Sequence, residues 1–126
     1  MVWVFENDQP IYTQLVDQIK VAIVSGELPP GARMPAVREL ALEAGVNPNT
    51  MQRALQQLER EGLVYAQRSA GRFVTEDTAV IARVREALAA ERVRRFRDAM
   101  RALGCTEEEM RTLLFGSREE ENGNLS

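Results

Sequence analysis

The sequence feature that most constrains the fold is residues 34–60, where two short helical patterns are separated by a tight turn. In the first pattern, apolar residues recur at helical spacing from about residue 36 to residue 44. Gly45 then has the backbone freedom that a sharp turn needs, and Val46 can fill the corner between the helices. Two helices joined in this way predict a helix-turn-helix.

The second helix has recognisable ends. Asn47 is a favoured N-cap, and Pro48 suits the first helical position because no N–H is needed there. Gly62 suits the left-handed residue after a helix, so we expect the helix to end at Glu61. One face of this helix is apolar, and the opposite face carries amides and guanidinium groups that can bond to adenine and guanine edges in the major groove. These features indicate a recognition helix, whose polar face comprises Asn49, Gln52, Arg53, Gln56 and Arg60.

The residues before this motif predict one further helix. Asp8 is its expected N-cap, and Pro10 fits its first turn. Apolar residues then recur with a core-facing spacing until Ser25-Gly26 stops the helix. The β-prone segment 1–5 is either a frayed terminus or an edge strand added to a small sheet.

The residues after the motif predict a β-hairpin. Residues 63–67 have the length and content of a strand, residues 68–71 read as a turn with Gly71 at its tip, and residues 72–75 return as a second strand. Three helices followed by a hairpin make a winged helix, whose wing can lie along the DNA backbone or enter the minor groove. We therefore predict that residues 1–76 form a winged helix-turn-helix DNA-binding domain.

The C-terminal part predicts helices only. A long amphipathic helix should end near Gly104, with a slip in its apolar phase at residues 91–92 that predicts a bend or a break. Thr106 is the expected N-cap of a shorter helix. The fold class is therefore mainly α with a small β-hairpin, and residues 116–126 are expected to be a disordered tail.

The apolar stripes of residues 77–115 need a covering surface. Packing against the winged helix can cover part of them, and a second copy of the chain can cover the rest, since symmetric dimers are the commonest soluble oligomers. We therefore predict a helical dimerisation region and a homodimer. The residues assigned to dimerisation are Val84, Leu88, Val93, Phe96, Met100, Leu103, Met110, Leu113 and Leu114.

Composition argues against an enzyme. The 126 residues include no histidine, which removes His-based acid–base catalysis, His-activated nucleophiles and most transition-metal sites. No glycine-rich phosphate loop is present, so we expect no catalytic residue, metal or cofactor. The single cysteine, Cys105, cannot form an internal disulfide, which fits a cytoplasmic protein. No apolar run approaches the roughly 20 residues that a membrane span needs, so we expect no membrane association.

Charge leaves an alternative open. The net charge of −3 counts mildly against a nucleic-acid partner, for which a basic domain is usual. The cations between Arg33 and Phe73 can nevertheless gather on one side, and binding depends on the local field. A winged helix that serves as a protein-interaction or assembly module, without specific DNA binding, therefore remains an alternative function.

Six runs of residues in order along the chain carry a family resemblance: P-I-Y-T-Q-L at 10–15, S-G-E-L-P-P-G-A-R-M-P at 25–35, R-E-L-A at 38–41, G-V-N-P-N-T at 45–50, L-E-R-E-G-L-V at 58–64 and G-R-F-V at 71–74. With these runs, residues 9–76 resemble the DNA-binding domain of the GntR family of bacterial transcription regulators, and the short helical C-terminal part resembles the YtrA subfamily. This resemblance implies a sequence-specific DNA-binding regulator that acts as a homodimer, as a repressor of a pseudo-palindromic operator, and on an operon such as one for an ABC transporter. The effector small molecule is unknown.

The resemblance also implies DNA contacts, residue by residue. Arg38 opens the R-E-L-A run, where the family has a DNA-contacting arginine, and Gly71 corresponds to the wing-tip glycine that approaches the minor groove. Two departures stand out: Ala36 occupies a position that is often a capping serine, and Ser69 replaces a frequent wing glycine. The residues assigned to DNA binding are Arg33, Arg38, Asn47, Asn49, Thr50, Gln52, Arg53, Arg68, Gly71 and Arg72.

Overall fold

A computed structural model describes residues 1–117 of the chain. Within that range the fold is mostly helical with one antiparallel hairpin, which confirms the predicted fold class. Each helix in the described range is too short or too polar to cross a bilayer. The elements are α1 (Ile11–Val24), α2 (Val37–Ala44), α3 (Pro48–Arg60), β1 (Val64–Gln67), β2 (Gly71–Val74), α4 (Thr78–Ala102) and α5 (Glu107–Phe115).

The described residues divide into two compact units. The first comprises Met1–Glu86, and the second begins at Ala87. The division falls inside α4, which is continuous from Thr78 to Ala102, so a helix break at residues 91–92 is wrong. Glu91 pairs with Arg94 and Arg95 one turn further on, and such pairs support a helix where the apolar phase slips. Of the predicted disordered tail, residues 118–126 lie outside the described residues.

The core of the first unit lies where α1 and α2 pack on α3. Three residues of α4, Val80, Ile81 and Val84, are half-buried against this core. Val84 is one of the residues that the sequence assigned to dimerisation, and in the structure it packs against the core of its own chain. The largest fully buried side chains of the core are Leu15, Ile19, Ile23, Leu40, Met51, Leu55, Leu58, Leu63 and Val74.

The turn between α2 and α3 follows the sequence signals closely. Gly45 adopts the left-handed conformation, with φ of 71°. The Asn47 side chain caps α3 by accepting a hydrogen bond from the Asn49 N–H at 2.8 Å, as predicted. Helix α3 ends at Arg60, one residue earlier than expected, and Gly62 follows with φ of 78°. These local contacts fix the angle at which α3 leaves the turn.

The hairpin gains a third extended segment from an unexpected part of the chain. Residues 32–34 run along the outer edge of β2, where Arg33 forms an antiparallel bridge with Phe73. The Met34 N–H donates to the Arg72 carbonyl at 2.8 Å, and the Val74 N–H donates to the Ala32 carbonyl, also at 2.8 Å. The connector that leads into α2 is therefore hydrogen-bonded to the wing.

Residues 1–5 are neither a frayed terminus nor an edge strand, so both sequence expectations are wrong. The Val4 N–H donates to Gln18 Oε1 at 3.0 Å, and Gln18 Nε2 donates to the Val4 carbonyl at 2.8 Å. The rings of Trp3 and Phe5 stack with centroids 6.1 Å apart. A side-chain amide of α1 thus satisfies the backbone that a neighbouring strand would have paired.

The predicted Asp8 cap of α1 is also wrong. Pro10 occupies the N-cap position and has no side-chain hydrogen bond to offer. Gln14, which is buried, organises this end instead: its Nε2 donates to the carbonyls of Glu6 and Gln9, both at 2.9 Å. The Glu6 N–H donates back to Gln14 Oε1 at 2.7 Å. A buried amide therefore shapes the chain before α1, where the sequence suggested a carboxylate.

In the second unit, α5 is held to the end of α4. Thr106 caps α5 in a reciprocal capping box with Glu109, which confirms the predicted N-cap. Glu107 accepts hydrogen bonds from Arg97 at 3.2 Å and from Arg101 at 2.9 Å. These contacts place the apolar side of α5 beside α4, where Met110 is buried.

Candidate nucleic-acid interface

Helix α3 separates an apolar face from a polar one, as the sequence predicts. Met51, Ala54, Leu55 and Leu58 are buried against the rest of the first unit. The opposite side carries exposed amide and guanidinium groups, while Thr50 and Gln52 are half-buried on its flanks. This surface presents the hydrogen-bonding groups that recognise base edges, and its exposed members are Asn49, Arg53, Gln56 and Arg60.

The start of α2 and the tip of the wing lie together. A Cβ placed on Gly71 would be 3.4 Å from Arg33 Nε, so the Arg33 guanidinium lies against the wing-tip glycine. Gly71 has φ of 98°, a conformation that favours glycine. A groove of about 600 Å³ separates these elements, and its lining residues are Arg33, Met34, Pro35, Ala36, Val37, Glu39, Gly71 and Arg72.

Arg38 is exposed at the start of α2. Asn47 is exposed at the N-cap of α3, in the turn between α2 and α3. The N-cap of α2 is Ala36, and its side chain makes no capping hydrogen bond. The first N–H groups of α2 therefore have no side-chain acceptor at the N-cap, unlike those of α3. Anions are favoured at such a helix end, so this arrangement is compatible with a phosphate nearby.

Arg72 already has an acidic partner. Its Nε donates to Glu59 Oε1 on α3, and the two side chains are only 19% and 30% exposed. The ion pair ties the wing to the end of the recognition helix. Of the cations assigned to DNA binding, Arg72 is thus the one whose charge is compensated by a partly buried carboxylate.

The turn of the wing contains an unusual backbone conformation. Ser69 has φ of 64°, and it is the one residue other than glycine with positive φ in residues 1–117. The resemblance described above implies a frequent glycine at this position, and the chain adopts the left-handed conformation with serine. Arg68, immediately before it, is exposed. The wing therefore presents Arg68 on a turn that carries backbone strain.

Tyr12 on α1 and Gln57 on α3 contact the flank of the polar face, and the sequence did not predict a role for either residue. The Arg53 guanidinium carbon lies 4.8 Å from the centroid of the Tyr12 ring, which belongs to α1. The Tyr12 hydroxyl donates to Gln57 Oε1 at 3.4 Å. Gln57 follows Arg53 by one helical turn, and this spacing could have predicted that the two side chains lie on the same side of α3. The contact with Tyr12 has no comparable signal, since Tyr12 and Arg53 are 41 positions apart in the sequence.

The residues assigned to dimerisation differ in exposure. Val93, Leu103, Leu113 and Leu114 are exposed, between 53% and 74%, while Leu88, Phe96 and Met100 are half-buried and Met110 is buried. Phe115, which the sequence analysis did not assign, is 68% exposed beside them. An apolar groove of about 640 Å³ runs between α4 and α5, with walls that include Val93, Phe96, Met110, Leu114 and Phe115.

The charged groups of the second unit lie on the surface. The hydrogen bond and charge of Arg94, followed by those of Arg95, hold the pKa of Glu91 below its ordinary value. Within residues 1–117, no three carboxylate or thiol side chains converge in a way that could hold a metal ion.

Comparison with known proteins agrees with this geometry. Residues 11–74 match the family described as bacterial regulatory proteins, gntR family. The chain is 41% identical over 106 residues to the HTH-type transcriptional regulator YhcF of Bacillus subtilis, an alignment that covers 84% of this chain and 88% of YhcF. It is also 41% identical over 71 residues to the repressor YtrA of the same organism, covering 56% of this chain and 55% of YtrA.

Solved structures give the same result. A GntR family transcriptional regulator from Listeria monocytogenes superposes with a TM-score of 0.81 at 33% identity, covering 90% of this chain and 100% of that one. The DNA-binding domain of AraR in complex with operator ORX1 superposes with a TM-score of 0.53 at 28% identity, covering 57% of this chain and 93% of that one. These relatives are transcription regulators, which confirms that the chain is not an enzyme. The chain belongs to the GntR family of bacterial transcription regulators and carries that family's winged-helix DNA-binding domain.

Proposed function

We propose that the protein is a homodimeric repressor that binds a pseudo-palindromic operator in double-stranded DNA. The observation that carries this proposal is the polar face of α3, which displays amide and guanidinium groups on a helix whose other face is buried. Two relatives, YtrA and NagR of Bacillus subtilis, are named as repressors. A repressor of this kind acts by occupying a promoter.

The proposed DNA contacts follow from the placement of the side chains. Asn49 and Arg53 on α3, with half-buried Gln52 on its flank, would face bases and adjacent phosphates in the major groove. Arg33 and Arg38 near the start of α2 would contact phosphates. Asn47 and Thr50 would contact the backbone where α3 enters the groove, and Arg68, Gly71 and Arg72 would bring the wing to the neighbouring minor groove.

We propose that residues 1–76 are the DNA-binding domain and residues 77–115 the dimerisation region. The exposed apolar side chains of α4 and α5 support this assignment, since a second copy would cover them. Val84 and Met110 already pack within the chain, so they would contribute to dimerisation by holding the exposed residues in place and not by direct contact with the second copy. Twofold symmetry would set the recognition helices into half-sites about one turn of DNA apart.

The resemblance to the YtrA subfamily extends the proposal to the target. An operon for an ABC transporter is the proposed target, and the protein would act in the bacterial cytoplasm, where the DNA is. An effector, if it acts on this protein, would bind at the dimer interface or elsewhere on these two units.

The proposal is tested by titrating the protein against DNA from upstream of its own gene and against a scrambled duplex, at two salt concentrations. We expect the native duplex to bind at least roughly a thousandfold tighter. Affinity should also fall steeply with salt, because phosphate contacts release counterions. Sedimentation in the same buffer should give a dimer. Equal weak binding to both duplexes, together with salt-insensitive capture of one protein, would instead support the interaction-module alternative.

A further inference from the structure

Tyr12, on α1, contacts the polar face of α3, the face that is proposed to read the DNA bases. The Arg53 guanidinium carbon lies 4.8 Å from its ring centroid, a distance at which the negative face of the ring attracts the cation. Tyr12 is half-buried, so its ring is backed by the first unit, whereas Arg53 is exposed. An arginine of the recognition helix therefore rests on an aromatic surface that a different helix supplies.

A hydrogen-bonded network supports the same flank. Gln57 Oε1 accepts from the Tyr12 hydroxyl at 3.4 Å, and from Arg60 Nε at 3.1 Å and Nη2 at 2.7 Å. Gln57 Nε2 donates to Glu61 at 3.1 Å, and Glu61 pairs with Lys20 at 2.8 Å. Both guanidinium groups on this side of α3 are thus restrained before any DNA is present.

Such restraint affects recognition because arginine has many rotamers. Ordering a free arginine side chain on binding carries an entropic cost, and a side chain that is already held in one orientation avoids part of it. The ring also restricts the direction from which Arg53 can approach a base.

We propose that Tyr12 is a positioning residue for Arg53. Its ring face orients the guanidinium before binding, and the discrimination between bases at the position that Arg53 contacts depends on this orientation. The inference rests on the proposed operator binding. It assigns a role in specificity to a residue of α1, although the polar face that is proposed to contact the bases belongs to α3.

The first test compares Tyr12→Leu with Tyr12→Phe in the full-length protein. Phenylalanine keeps the ring and loses the hydroxyl, whereas leucine loses the ring. We measure the affinity for the operator and for duplexes with single base changes. Loss of an exposed cation–π contact should lower discrimination at the Arg53 position by about two- to fivefold, with Tyr12→Phe close to wild type. Discrimination at other positions should stay unchanged, which a general loss of stability would not produce.

A double-mutant cycle with Arg53→Ala tests the link directly. If Tyr12 acts through Arg53, adding Tyr12→Leu to Arg53→Ala should cause no further loss of discrimination. Additive losses would overturn the proposal, as would equal effects of Tyr12→Phe and Tyr12→Leu, or increased discrimination in Tyr12→Leu. If the wild-type protein fails to discriminate between operator and scrambled DNA, the proposed function itself has failed. The two failures are therefore distinguishable.

A measurement without DNA completes the test. In the NMR spectrum of the free protein, the ring current of Tyr12 should shift the Arg53 side-chain resonances upfield. The shift should persist in Tyr12→Phe and disappear in Tyr12→Leu, while the thermal midpoint shows that both variants are folded. Random-coil shifts for Arg53 in the wild-type protein would show that the ring does not hold it.

Discussion

Substituting Glu59 by Gln is expected to strengthen DNA binding. In the free protein, Glu59 compensates the charge of Arg72 through a partly buried ion pair between α3 and the wing. Glutamine keeps the size of the side chain and can still accept a hydrogen bond, but it removes the negative charge. Arg72 would then be free to neutralise a phosphate at the wing, and a repulsive carboxylate would be gone from the interface.

The magnitude follows from counterion release. One additional phosphate contact steepens the dependence of log affinity on log salt by about 0.9. Between about 50 and 200 mM salt, the advantage of Glu59→Gln over the wild type should therefore shrink about three- to fourfold. The loss of the ion pair should cost no more than about 1 kcal/mol of stability, since both side chains are partly exposed.

The assay is fluorescence anisotropy with the operator duplex over a series of salt concentrations. Glu108→Gln is the matched control, because it changes the net charge equally at an exposed position of α5. We expect the control to leave the salt dependence unchanged. Weaker binding of folded Glu59→Gln, with an unchanged slope, would refute the reasoning. It would mean that Arg72 orients the wing through Glu59 and does not contact DNA.

Three further changes test other parts of the structure. Ser69→Gly should raise the free energy of unfolding by roughly 0.5–1 kcal/mol, because relief of the left-handed strain exceeds the entropy cost of glycine; an unchanged or lower thermal midpoint would contradict this. Leu114→Glu should shift sedimentation toward the monomer and weaken operator binding, whereas Thr112→Glu on the same helix should not; a stable dimer of Leu114→Glu would exclude this surface from pairing. Thr106→Ala should destabilise the second unit by about 1 kcal/mol through loss of the capping box, as measured by urea denaturation; wild-type behaviour would show that the cap contributes little.

The parts of the fold that sequence predicted well are those decided by neighbouring residues. Asn47 caps a helix that starts one residue later, and Gly45 and Gly62 each end a helix within a single turn. The capping box at Thr106 is equally local. Short-range backbone chemistry of this kind leaves a direct trace in the order of residues, so the helix-turn-helix and α5 could be placed in advance.

The features that sequence missed depend on distant partners. Residues 1–5 have the composition of a strand, but the side-chain amide of Gln18 forms hydrogen bonds with both the N–H and the carbonyl of Val4, in place of a neighbouring strand. Asp8 is a good cap by residue type, yet Gln14 reaches the same region from within α1. A similar limit applies to the site. The exposure of Arg53 could be read from the helical wheel, whereas its contact with the ring of α1 required the packing of two helices.

The hydrogen bonds between residues 32–34 and β2 bear on the order in which the protein assembles. A two-stranded hairpin alone is marginally stable in water, and here its third segment comes from residues that lie 40 positions earlier in the chain, at Arg33 and Phe73. Contacts of such long sequence separation form late, because the loop between them must first be closed. The packing of α2 against α3, which both lie within that loop, shortens the distance between its ends. The wing therefore matures only after the helical core has formed, and amide exchange at Met34 and Val74 should report opening of that core rather than fraying of the hairpin alone.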